Sequence, residues 1–201
     1  MARKILTRSA LLLLALTLSA CVSLGAGGGK APASLLTLTP SQSAPAGSAA
    51  SSTASDALMV MEPETDQSLS VLRVPVQVDD ANIAYLQGAV WVEKPARLFR
   101  ALLAETLRAK TGRLVLEDSQ AIVPASGVRL SGRLIAMGYD ARSGAVVVRF
   151  DAIRTGLDGE VQTKRFEAVV DGVAPSAAEV GPALNKAAND VAGQVAVWMG
   201  S

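Results

Sequence analysis

Histidine is absent from all 201 residues, and cysteine occurs once, at Cys21. Without histidine no Ser-His-Asp or Cys-His nucleophile can be assembled, and no histidine metal site can form. One cysteine cannot close a disulfide within the chain, so the core must be held by packing alone. Aromatics make up only 3% of the residues. The formal net charge is +1, too small to suggest a nucleic-acid partner or an acidic tail. Neither a Gly-x-Gly-x-x-Gly turn nor a P-loop occurs, which removes the usual signs of nucleotide binding. The chemistry left open is a carboxylate pair, with Glu117-Asp118 or Glu93 and Glu105 as candidates. Nothing in their spacing makes them converge. The expectation is a protein with no catalytic residues, no metal and no cofactor.

The first twenty residues have three parts. Arg3, Lys4 and Arg8 form a positive start, Leu11 to Leu18 form an apolar centre broken by Thr17, and Ser19-Ala20 supply small residues. The apolar centre is too short for a membrane span, which needs about 20 residues, so residues 1–20 read as an export signal. Leu18-Ser19-Ala20-Cys21 resembles a bacterial lipobox. The thiol of Cys21 is the nucleophile that would take a diacylglyceryl group as a thioether before cleavage, which makes Cys21 the expected lipid attachment site. Val22 is not the aspartate that retains such proteins at the inner membrane, so the expected location is the outer membrane, facing the periplasm. Loss of Arg3, Lys4 and Arg8 turns the net charge to about −2.

Residues 21–33 are rich in Gly and Ala and read as a flexible tether with a reach of about a few nanometres. Residues 34–201 suit a single domain. Leu35 to Thr39 is a short apolar strand, expected to return to the main sheet. Residues 41–57 are almost wholly Ser, Ala, Pro, Gly and Thr and read as a disordered insert. Leu58 to Met61 and Leu69 to Val78 are rich in strand formers, and Pro75 restricts the latter to a sheet edge or a strand end. Asn82 to Tyr85 and Ala89 to Val92 flank Gln87-Gly88, which suggests a tight hairpin.

The period changes at Pro95. Leu98, Phe99, Leu102, Leu103 and Leu107 keep helical spacing, and Gly112 supplies a stop, which predicts a helix over about 95–110. Leu114 to Leu116 is a short strand. Val128–Tyr139, Ala145–Arg154 and Val161–Val170 then form a meander. A two-residue turn at Asp158-Gly159 would set Phe150 opposite Glu167. A three-residue loop, Leu157-Asp158-Gly159, pairs Phe150 with Phe166, Val148 with Ala168 and Val146 with Val170. Only the second gathers one apolar face, so it is the predicted register, with Gly159 left-handed. Leu184, Ala187, Ala188, Val191, Val195 and Trp198 mark a final helix. Ser176 and Glu179 resemble a capping box, yet Pro182 would then lie inside the helix. A start near residue 181, for a helix over about 181–199, avoids that conflict. The elements sum to an α+β domain, an antiparallel sheet with both helices mainly on one face.

The stretch from Tyr85 to Pro95 (Tyr-Leu-Gln-Gly-Ala-Val-Trp-Val-Glu-Lys-Pro), followed by the Leu98–Leu107 helix, resembles the signature of the ABC-type transport auxiliary lipoproteins. Arg165-Phe166-Glu167-Ala168, the tail from Ala183 to Trp198, and a lipobox ahead of a Leu-Thr-Leu strand are similar too. The likeness covers about residues 35–198 as an ordered set of short motifs, and the insert at 41–57 departs from it. The resemblance implies a non-enzymatic subunit of a lipid-handling ABC system. In such systems an inner-membrane permease and ATPase work with an MCE-domain protein that crosses the periplasm. The lipoprotein would dock that MCE-domain partner at the outer membrane, held there by its lipid, and could assemble as a homo-oligomeric ring. Two other functions are consistent with the residues: a structural envelope lipoprotein of another assembly, and a periplasmic lipid carrier. A carrier needs an apolar cavity of several hundred cubic ångströms. Tyr85, Trp91 and Trp198 read first as packing residues. Trp91, just ahead of the helix, is the alternative interface anchor, and Pro75 with the Leu69–Val78 strand could offer an edge for partner pairing.

Overall fold

The computed structural model describes residues 34–53, 55–118 and 127–200. The expected export signal, Cys21 and the expected tether lie outside them. Within them the chain forms an α+β domain of eight strands and two α-helices, in the order β1 (Leu58–Val60), β2 (Glu64–Thr65), β3 (Arg73–Gln77), β4 (Ile83–Val90), α1 (Pro95–Thr111), β5 (Val115–Glu117), β6 (Val128–Asp140), β7 (Ala145–Thr155), β8 (Val161–Val170) and α2 (Ala177–Met199).

The long strand β6 organises the sheet. One of its edges pairs antiparallel with β7 along nearly its whole length, and β7 pairs antiparallel with β8. Its other edge is shared by three short strands in succession. β1 takes residues 128–130, β2 takes 133–134 and β3 takes 139–140, all parallel to β6. β5 lies parallel beyond β1, and β4 lies antiparallel beyond β3. The sheet is therefore mixed, where an antiparallel one was expected. The parallel pairs need a crossover, and α1 supplies it between β1 and β5. Strands arriving in runs hide such pairings in the sequence.

The β7–β8 hairpin has the register that the apolar face requires. Phe150 lies opposite Phe166, Val148 opposite Ala168 and Val146 opposite Val170. The Gly156 N–H donates to the Glu160 carbonyl at 2.8 Å, which leaves a three-residue loop with Gly159 at φ +84°. The pairing puts Val146, Val148, Phe150, Ala152 and Phe166 on one side, each at most 3% exposed. Both helices cover that side. Phe99 of α1 meets Phe150 edge-on at 5.3 Å, and Trp198 of α2 tilts over Phe166 at 5.6 Å. Leu184, Ala187, Ala188, Val191 and Val195 of α2 are fully buried, and their small volumes bring the helix close to the sheet.

Three local expectations are corrected. Residues 83–90 form one continuous strand rather than a hairpin about Gln87-Gly88. Its pairing with β3 slips between Arg73 and Pro75, and Gly88 takes φ +74° in the resulting bulge. Helix α2 begins at Ala177, with the Ser176 hydroxyl accepting from the Glu179 N–H, so Pro182 does lie inside it. The preceding residue permits this. A Cβ ahead of proline disfavours helical backbone, and Gly181 has none. Third, the described residues of the run at 41–57 contain no helix or strand, and its first residues bond to both helices. Backbone N–H groups of Ser41 and Ala44 donate to Asn189 Oδ1 and Glu105 Oε1, at 2.7 and 2.8 Å. Ahead of it the expected Leu35–Thr39 strand is reduced to one parallel bridge, Leu36 with Trp91.

Gly132 in β6 marks the tightest approach in the sheet. A Cβ built there would stand 2.0 Å from the Asp151 carbonyl oxygen. Gly132→Ala is therefore expected to lower stability by about 3 kcal/mol, and Phe150→Ala by about 3–5 kcal/mol. Urea unfolding followed by circular dichroism measures both.

Candidate functional site

Of the residues proposed for an interface, Trp91 is enclosed in the core at 1% exposure. Its indole Nε1–H has no acceptor among the described residues. A partner cannot reach this ring without opening the fold, so its place is one of packing. Tyr85 is half-buried under the Arg73 guanidinium, 3.9 Å from its ring centre. Pro75 lies in β3, which is flanked by both β4 and β6 and is not an edge. Pairing with β6 begins one residue later, at Val76, so the missing Pro75 N–H costs the ladder nothing. Trp198 is half-buried on Phe166. The four residues do not form one patch.

The candidate carboxylates converge on arginines rather than on each other. Arg100, with its side chain 12% exposed, holds Glu117 at 3.1 Å, Asp118 at 2.5 Å and Glu62 at 3.4 Å. Glu105 pairs with Arg108 at 3.2 Å, and Glu93 with Arg97 at 3.4 Å. These contacts tie α1 to β5 and to the strand-end residue Glu62. Among the described residues there is no group of three side chains placed to hold a metal ion.

The remaining face is the open side of β6, β7 and β8. Helices cover only the other side, so the alternate residues here meet solvent. Their registers build rows across the sheet: Arg129 with Thr155 and Val161, then Ser131 with Ile153 and Thr163, then Arg133 with Asp151 and Arg165. Arg165 grips Asp151 through two bonds of 2.6 and 2.7 Å, Arg149 pairs with Glu167, and Arg133 pairs with Asp66. Short side chains in the Ser131 row leave a trough between taller rows, an open depression of about 800 Å³. A second depression of about 260 Å³ lies over Ala136, Gly138 and Val147. Sequence reading found the strands but not this face. Its signal is the polar half of the alternation, Arg129-x-Ser131-x-Arg133 and Thr163-x-Arg165-x-Glu167.

The Arg165 guanidinium beside Asp151 holds that carboxyl below the usual carboxylate range, helped by the charges of Arg149 and Arg133. Asp151 in return raises Arg165. At the far end of β6 the Arg142 side chain lowers Asp140 in the same way. Asp79, capping the turn after β3, is lowered by the Ala81 N–H and the Asn82 amide.

A lowered carboxyl binds fewer protons in the folded chain than in the unfolded one. Its contribution is complete above the ordinary carboxylate pKa and is lost as the pH falls through the lowered value. Asp151→Asn should therefore reduce stability at pH 7 and flatten its fall as the pH drops below about 4. Urea midpoints across that range test this, and an unchanged acid slope would refute it.

No family model and no curated protein matches this sequence. Solved structures do. A Xanthomonas campestris protein of family DUF330 superposes with a TM-score of 0.61 at 17% identity, covering 85% of this chain and 93% of its own. An uncharacterized protein superposes with a TM-score of 0.63 at 15% identity, covering 72% of this chain and 92% of its own. At these identities the likeness is one of fold, and it places the chain among proteins built on the same α+β arrangement.

Proposed function

We propose that the chain is a lipid-anchored, non-enzymatic auxiliary subunit of an MCE-type lipid transport system, docking its periplasmic MCE-domain partner at the outer membrane. The observation that carries this reading is Leu18-Ser19-Ala20-Cys21 ahead of a Gly-rich tether and this domain. The specific transport role rests on the ordered motifs from Tyr85 to Pro95 and from Ala183 to Trp198. The space between helices and sheet is filled by Trp91, Phe99, Leu102, Leu103, Phe150 and Leu184, each at most 1% exposed. A filled interior favours a docking domain over a carrier that swallows acyl chains. Among the described residues no helix is long and apolar enough to cross a membrane; the lipid on Cys21 would supply the attachment.

The test combines mass spectrometry and fractionation in a Gram-negative host that also makes the MCE-domain protein. The native chain should carry a diacylglyceryl group on Cys21, sediment with the outer membrane, and crosslink to the MCE-domain protein. Cys21→Ser should accumulate unprocessed and lose the outer-membrane position. A native chain that reaches the outer membrane but crosslinks only to another envelope complex would favour the structural-lipoprotein reading instead.

A further inference from the structure

We propose that the trough floored by Ser131, Ile153 and Thr163 is a binding site for a phosphate group, with Arg129 as its cation. Among the described residues Arg129 has no ion pair and no hydrogen bond, and its Nε is buried without an acceptor. The other arginines of this face are all engaged: Arg133 by Asp66, Arg149 by Glu167 and Arg165 by Asp151. The Nε is closed off from the trough, so a ligand there would meet the terminal N–H groups of the guanidinium, whose charge no carboxylate among the described residues offsets. The neighbouring row adds the hydroxyls of Ser131 and Thr163, which also have no hydrogen-bond partner among the described residues. Arg129, Ser131 and Thr163 line one depression; three side chains rich in donors suit a ligand made of acceptors, and the terminal N–H groups of the guanidinium match the oxygens of a phosphate.

The acidic neighbours do not close the site. Asp151 is held by Arg165, and Glu62 by Arg97 and Arg100. Glu64 is exposed at the rim, in the row of Arg133. Met61 and Ile153 give the trough an apolar flank. Free phosphate and the headgroup of a phospholipid share the required chemistry. The headgroup form rests on the lipid-transport reading, while the phosphate site itself stands on the geometry.

The test uses the full processed chain in phosphatidylcholine nanodiscs, titrated by NMR with dihexanoyl phosphatidylglycerol below its micellar concentration and, separately, with inorganic phosphate. Saturable binding is expected, weakened about tenfold by Arg129→Ala, as loss of a charge-assisted fork implies. Thr163→Val, which changes no charge, should weaken it about threefold. Lys186→Ala, removing a cation of helix α2 that pairs with Asp190 away from the trough, should change it less than about twofold. Stronger binding of the short-chain lipid identifies a headgroup site, and equal or stronger binding of inorganic phosphate identifies free phosphate as the ligand. Arg129→Gln gives the same readout should the alanine variant not fold. No binding of either probe, or equal losses for Arg129→Ala and Lys186→Ala, would overturn the proposal. Failure to crosslink the MCE-domain protein would leave this result untouched.

Discussion

The pairing of Phe150 with Phe166 is the constraint on which the rest of the domain depends. It fixes the register of β7 against β8, and the alternation of a strand does the rest. Even-numbered residues of both strands turn toward the helices, where Phe99 and Trp198 meet the two rings. Odd-numbered residues turn to solvent, where Asp151 meets Arg165 and Arg149 meets Glu167. A slip of β8 by one residue would bury Arg165 and Glu167 and expose Phe166. Core and charged face are thus two results of one choice.

β6 carries that choice across the sheet. It matches β7 along one edge and gathers β1, β2 and β3 along the other. The cost is local. Gly132 stands where any side chain would strike the Asp151 carbonyl, and the register with β7 shifts between Leu134 and Ala136. The same spacing of short residues between long ones creates the two depressions of the open face.

Most of this fold was legible in the sequence, because its signals are local. Helical spacing after Pro95, the meander from Val128, and the facing of Phe150 and Phe166 need only period and side-chain chemistry. The parallel pairings of β1, β2 and β3 were not legible. They join residues far apart in the chain, and two- or three-residue strands have too little pattern to choose a neighbour. The start of α2 was misjudged because Pro182 outweighed the capping box; the missing Cβ of Gly181 settles the conflict. The candidate site was the least legible. Arg129, Ser131 and Thr163 are ordinary polar residues of exposed strand faces, and only the register shows that they share a trough while the nearby arginines are occupied.

The entry of the chain into the domain has a mechanical consequence. Leu36 is bound to the strand end by two hydrogen bonds, 2.7 Å to Val90 and 2.9 Å from Val92, and its side chain packs on Gly181. Thr39 and Ser41 are then laced to Asn185 and Asn189 of α2, and Ala44 to Glu105 of α1. A pull on the chain ahead of Ser34 meets these links one after another, starting with Leu36, before it loads the sheet. Several residues can peel away from this end of the domain while the pairing of β6, β7 and β8 stays intact.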